Sequence, residues 1–94
     1  MKLSRKSEYA LLAMIDLAER FGKGNVRTSD ICRRKKIPRK FLEQILLTLK
    51  RGGCVRSLRG YEGGFSLARP PEKVTLAEVL RLMDGALAPV DSAS

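Results

Sequence analysis

The chain has 94 residues, 44% of them hydrophobic and 31% charged, with 19 lysines and arginines against 10 acidic residues for a formal charge of +9. That length holds one small domain with hardly room for a catalytic cleft beside the core, and the charge favours a polyanionic partner. With no histidine and only two cysteines, Cys32 and Cys54, the sequence excludes His-based triads and a zinc site made from protein ligands alone, and no enzyme is expected.

Ser4 is placed to cap a first helix running to about Phe21. Leu11, Met14, Ile15, Ala18 and Phe21 recur at helical spacing, and Gly22 and Gly24 follow as stop signals. The stretch Ala10–Ile15 is apolar almost all round, more than one buried stripe requires, which suggests a second contact such as a partner subunit. The basic start Met1-Lys2-Leu3-Ser4 leads into this amphipathic segment, broken by Asp16 and Glu19, and not into a signal core. No apolar run approaches the roughly 18 residues that span a bilayer, so no membrane partner and a cytoplasmic location are expected.

Asn25-Val26-Arg27 reads as a short extended piece. Thr28 is then placed to cap a two-turn helix that contains Ile31 and Cys32 and ends near Lys36. Ile37-Pro38 makes a tight break, because the residue before proline avoids the helical region while proline suits a helix start. A third helix is expected from about 38 to 51, ended by Gly52-Gly53. Alternation from Val55 to Arg59 and the run Phe65–Ala68 predict two short strands around Gly60-Tyr61-Glu62-Gly63-Gly64, a hairpin with a glycine-rich tip spanning about 55–68. Thr75-Leu76-Ala77-Glu78 has the form of a capping box. It opens a last helix with Leu76, Val79, Leu80 and Met83 on one face, stopping around Asp84-Gly85. Cys32 beside Ile31 and Cys54 beside Val55 read as small core residues, with a redox or sensing role as the alternative.

The order is mostly α with a small β-hairpin, the pattern of a winged helix-turn-helix over residues 1–85. Residues 86–94 read as a tail leading towards a dimerisation or sensor segment that this sequence does not contain. From Arg33 to Arg59 ten basic residues face one acid, Glu43, while the rest of the chain balances. A run of charge is often only a solvated face, but here it coincides with the helix-turn-helix. At 100° per residue the third helix turns Leu42, Ile45, Leu46 and Leu49 inward and presents Lys40, Gln44, Leu47 and Arg51 outward, with Arg39 and Glu43 at the edges. Lys and Arg suit guanine, Gln suits adenine and Glu suits cytosine, which makes Arg39, Lys40, Glu43 and Gln44 candidate base readers in the major groove. Leu47 either touches a thymine methyl or packs on a neighbouring element. Arg59, beside the hairpin tip, suits a narrow minor groove, and Arg56 stands near it. Arg33, Arg34, Lys35 and Lys36 are candidate phosphate contacts, as are Thr28, Arg51, Arg56, Gly60 and Tyr61. The reading is a double-stranded DNA reader in transcriptional regulation. Its alternative is a winged-helix module for protein–protein assembly, whose basic face is merely solvated.

The opening Met1-Lys2-Leu3-Ser4 with Tyr9-Ala10-Leu11 resembles the Rrf-two family of bacterial transcriptional regulators. So do Phe41-Leu42-Glu43-Gln44-Ile45-Leu46, the segment from Arg59-Gly60 through Gly63-Gly64-Phe65-Ser66-Leu67-Ala68-Arg69-Pro70, and Leu87-Ala88-Pro89-Val90. The resemblance covers essentially the whole chain. It implies a homodimer on a partly palindromic operator, with the third helix in the major groove and the Arg59-Gly60 wing in the minor groove. It also implies a long dimerisation helix after the Leu-Ala-Pro-Val segment, packed on the first helix. Many relatives hold an iron–sulfur cluster on three cysteines. The position matching the first of them is Ser92, and Cys32 and Cys54 match none, so no cluster is expected in this chain.

Overall fold

The computed structural model describes residues 3–58 and 64–87. Arg59, Gly60, Tyr61 and Ser92 lie outside the described residues, as does the rest of the tail from Ala88 onward. The elements are α1 (Arg5–Glu19), α2 (Thr28–Lys35), α3 (Arg39–Arg51), β1 (Val55–Ser57), β2 (Phe65–Leu67), a single 3-10 turn over Pro71–Lys73, and α4 (Leu76–Leu87).

Ser4 caps α1 as expected: its backbone is extended and its hydroxyl accepts the Ser7 N–H at 3.1 Å, an interaction that contributes about 1 kcal/mol. The helix ends at Glu19 and not at Phe21, with Phe21 closing a turn onto the Ala18 carbonyl. Its buried face is also turned relative to the sequence expectation. Ala10, Ala13, Met14 and Leu17 are buried, Leu11 and Ala18 are half-buried, and Ile15 and Phe21 are exposed. The short side chains of Ala10 and Ala13 let α1 lie close against its neighbours, so the larger residues flank the contact instead of filling it.

Thr28 is the first helical residue of α2, and the capping position falls to Arg27, whose side chain makes no cap hydrogen bond. The helix ends on Lys36 in the left-handed conformation (φ 55°), a geometry that costs a non-glycine residue roughly 1 kcal/mol. Buried Ile37 holds the turn, its N–H donating to the Cys32 carbonyl at 3.1 Å. Pro38 occupies the capping position of α3 and its carbonyl accepts the Leu42 N–H at 3.0 Å, so the helix proper starts at Arg39. Leu42, Ile45, Leu46 and Leu49 all point into the core, as their spacing required.

At the end of α3, Gly53 takes a positive φ of 80°. Gly52 does not, and its role is spatial: a Cβ there would overlap the Leu82 side chain of α4. The hairpin pairs Val55 with Leu67, Arg56 with Ser66 and Ser57 with Phe65, shorter at both strands than the expected 55–59 and 65–68. Val26 joins its edge through a bridge to Phe65 with reciprocal hydrogen bonds of 2.8 Å. That bridge ties the segment before α2 to the wing.

The capping box at α4 forms only in half. Thr75 accepts the Glu78 N–H at 3.1 Å, but the Glu78 carboxylate turns away to Arg69 at 2.6 Å, a charged partner that outcompetes a backbone N–H. The helix also runs through Asp84-Gly85 to Leu87, because a single glycine weakens a helix by about 1 kcal/mol without ending it. Val79 and Met83 are buried, Leu80 is half-buried, and Leu76 is exposed despite its place in the expected apolar set. Among the described residues no helix is long and apolar enough to cross a membrane.

Candidate nucleic-acid interface

The turn at Lys36-Ile37-Pro38 sets α3 with one face in the core and the other in solvent. Arg39, Lys40, Glu43, Gln44, Leu47, Lys50 and Arg51 are all exposed on it. Arg39 Nε donates to Glu43 Oε2 at 3.1 Å across one turn, while Lys40 and Gln44 stand side by side without an ion pair among the described residues. Leu47 is 46% exposed and lies in the same row, so among the described residues it is not packed into the core. Thr48 closes its hydroxyl onto the Gln44 backbone carbonyl at 3.1 Å, and the Gln44 side chain is exposed. The open side of α3 offers donors and acceptors of the kind that read base edges.

Near the start of α3, Phe41 meets the Tyr9 ring of α1 with centroids 5.7 Å apart, and Arg5 lies 6.0 Å from the same ring. Tyr9 and Phe41 thus extend the core out to the rim of the exposed face. Arg56, on β1, is exposed and reaches the Ala68 carbonyl at 3.5 Å. Thr28 is half-buried at the start of α2.

The basic run of α2 is not one surface. Arg33 pairs with Asp30 at 3.1 Å within the helix, and Lys35 lies 3.8 Å from Glu19 of α1. Arg34, expected to contact phosphate, instead donates through Nε and Nη2 to the two carboxylate oxygens of Asp16, each at 2.9 Å. Its fork is filled by a carboxylate inside the protein, so it leaves the set of free cations. Lys36 remains exposed, with no ion pair to another described residue.

Asp16 is the residue that the sequence did not reveal. It is fully buried, and Arg20 Nη1 also reaches its Oδ1 at 3.2 Å. Burial alone would push the carboxyl pKa up, but the Arg34 hydrogen bonds and the charges of Arg34, Arg20 and Lys35 outweigh it and hold the group below the ordinary aspartate value. The only hint in the sequence was the i, i+4 spacing to Arg20, a pattern equally common on exposed helix faces.

Burial pushes the thiols of Cys32 and Cys54 up, which disfavours thiolate at both. Cys54 is fully buried with Arg69 Nη2 at 3.8 Å from its sulfur. The same guanidinium holds Glu78 and the Lys73 carbonyl, tying the end of β2 to α4.

The profile of the Rrf2 family, described as iron-dependent transcriptional regulators, matches residues 3–94. The chain belongs to the Rrf2 family. A provisionally named HTH-type transcriptional regulator of Mycobacterium tuberculosis is 46% identical to this Rrf2 chain over 90 residues, covering 96% of it and 56% of the relative. The regulator CymR of Bacillus subtilis is 34% identical over 91 residues, covering 97% of this chain and 66% of the relative. Among solved structures, IscR of T. potens superposes with a TM-score of 0.85 at 37% identity, covering 92% of this chain and 63% of that one. The B. subtilis CymR structure gives 0.86 at 32% identity, covering all of this chain and 73% of that one. The Rrf2 chain thus spans a little over half the length of the first relatives it matches, and its winged helix-turn-helix fold is the one those structures share.

The family description names iron. Among the described residues no group of three or more His, Cys, Asp or Glu side chains is placed to hold a metal ion. The described part of this chain does not fit such a site.

Proposed function

We propose that this chain is the DNA-reading part of an Rrf2-family transcriptional regulator, with α3 in the major groove and the segment around Arg59 in the minor groove. The observation that carries the reading is the exposed Lys40–Gln44 row of α3, backed by a fully buried leucine and isoleucine face. Arg39 and Glu43 flank that row as a pair. Lys36 and Arg51 lie at its two ends and serve as phosphate contacts, with Arg56 on the wing side. The Rrf2 relatives are named as transcriptional regulators, which supports a binding role without catalysis and a cytoplasmic place of work.

The reading includes a homodimer in the full-length protein. Leu11, Met14 and Ile15 of α1 line an open apolar groove with Leu76 and Val79 of α4, and Ile15 and Leu76 are exposed in it. The same groove favours the second reading, a winged-helix module kept for protein–protein assembly. Cluster ligation by this chain is not part of the proposal, since the position matched to the first thiolate is Ser92.

The test is binding to promoter duplexes in competition with unrelated DNA across a salt series. Gln44→Ala is expected to relax base preference, whereas Lys36→Ala weakens all sequences alike and lowers the salt slope by about one. A chain that binds no duplex at low salt while still self-associating through the groove would favour the assembly module.

A further inference from the structure

We propose that Asp16 is a positioning residue of the DNA interface: by gripping Arg34 from α1 it withdraws that guanidinium from phosphate contact and fixes α2, from which the turn into α3 departs. The inference rests on the DNA-reading function proposed above. It adds that one buried acid decides which of four consecutive cations are available to the nucleic acid.

The geometry of the grip is that of a planar fork on a carboxylate. Arg34 Nε and Nη2 each donate to a different Asp16 oxygen at 2.9 Å, and Arg20 Nη1 adds a third donor at 3.2 Å. Two of the three guanidinium nitrogens of Arg34 are therefore committed, and its side chain is only 28% exposed. To reach a phosphate, Arg34 would have to leave a fully buried carboxylate with Arg20 as its one remaining hydrogen-bond donor among the described residues. A solvent-exposed phosphate contact does not return that loss.

Its neighbours differ. Arg33 sits in a solvent-exposed pair with Asp30, and Lys35, itself no more exposed than Arg34, faces an exposed Glu19 at a looser 3.8 Å, so neither has a buried carboxylate to hold it. Lys36 is exposed at the left-handed end of α2. The four cations form a graded series, from Arg34, held, to Lys36, open. Asp16 sets its lower end from 18 residues away in sequence. In the absence of that carboxylate Arg34 would add a contact that carries no sequence information and would favour every duplex alike.

The experiment measures affinity for a random-sequence duplex against salt, alongside thermal melts monitored by circular dichroism. With Asp16 intact, Arg34→Met leaves the salt slope unchanged, whereas Lys36→Ala lowers it by about one, equivalent to about a fourfold difference in affinity over a fourfold change in salt. Asp16→Asn frees Arg34 and raises the slope by about one, and the same substitution made on top of Arg34→Met has no such effect. A purely structural role would lower affinity in Asp16→Asn without steepening the salt dependence. A slope lowered in Arg34→Met as much as in Lys36→Ala overturns the proposal, and so does an unchanged slope in a folded Asp16→Asn protein. Should Asp16→Asn not fold, the pair Arg34→Met and Lys36→Ala decides alone. A parent protein that binds no duplex at low salt brings down the DNA-reading function itself, an outcome distinct from any change in slope.

Discussion

The basic residues of α2 and α3 look alike in the sequence and differ in the folded chain. On α2, Arg33, Arg34 and Lys35 each face an acidic partner, and Arg34 is held by a fully buried one. On α3, Lys40, Lys50 and Arg51 are exposed, and among the described residues Arg39 pairs only with Glu43 on the same face. A count of charge along a segment thus overstates its reach toward a polyanion, because part of that charge holds the helices together.

The largest effect is expected where both regions lose their support at once. Leu46 is fully buried between α3 and the rest of the core, so Leu46→Ala is expected to cost about 2–5 kcal/mol and to lower the melting temperature of the whole domain. Replacing Asp16 by Ala removes the support of α2 alone. It leaves Arg34 and Arg20 without their shared partner, at a cost of about 3 kcal/mol in denaturant unfolding at neutral pH, the lower end for a buried pair because Arg34 is partly exposed.

Acid sharpens the same contrast. The Asp16 carboxyl lies below its ordinary value in the fold, so its contribution stands in full above the ordinary aspartate range and is lost as pH falls through the folded value. A variant lacking this carboxyl should start less stable at neutral pH and lose less stability on acidification than the parent. Equal losses in the two proteins would count against the pairing.

On the α3 side, Gln44→Ala should leave stability within about 0.5 kcal/mol while removing about 1–3 kcal/mol of discrimination between operator and competitor. Competition binding with matched melts checks both numbers. The smallest effect belongs to the exposed pair on α2: Asp30→Ala is expected to cost about 0.3–0.5 kcal/mol, vanishing at high salt.

Much of this was legible from the chain alone, and the parts that were not share a cause. Periodicity placed Leu42, Ile45, Leu46 and Leu49 correctly because α3 buries one broad stripe of large side chains. It misjudged α1, where Ala10 and Ala13 take the closest contact and Ile15 remains in solvent, since helix spacing says which residues share a face but not which face comes nearest to a neighbour. The same limit hid Asp16: an acid inside a helix reads as solvent-facing until its partner on another helix is known. Local rules give Glu78 to its own cap, but its carboxylate binds Arg69, again a partner supplied by the fold. On α3 the exposed face followed from the sequence because nothing in the described structure covers it. On α2 the sequence named the cations but not their engagements.

The contact between Gly52 and Leu82 makes one missing methyl group the mould for a side chain of α4. A Cβ at position 52 would meet the Leu82 methyls, which would have to turn aside to admit it. The seat of the Leu82 side chain against the end of α3 is therefore shaped by an atom that the sequence leaves out. A change as slight as Gly52→Ala would reseat that side chain without altering a single charge.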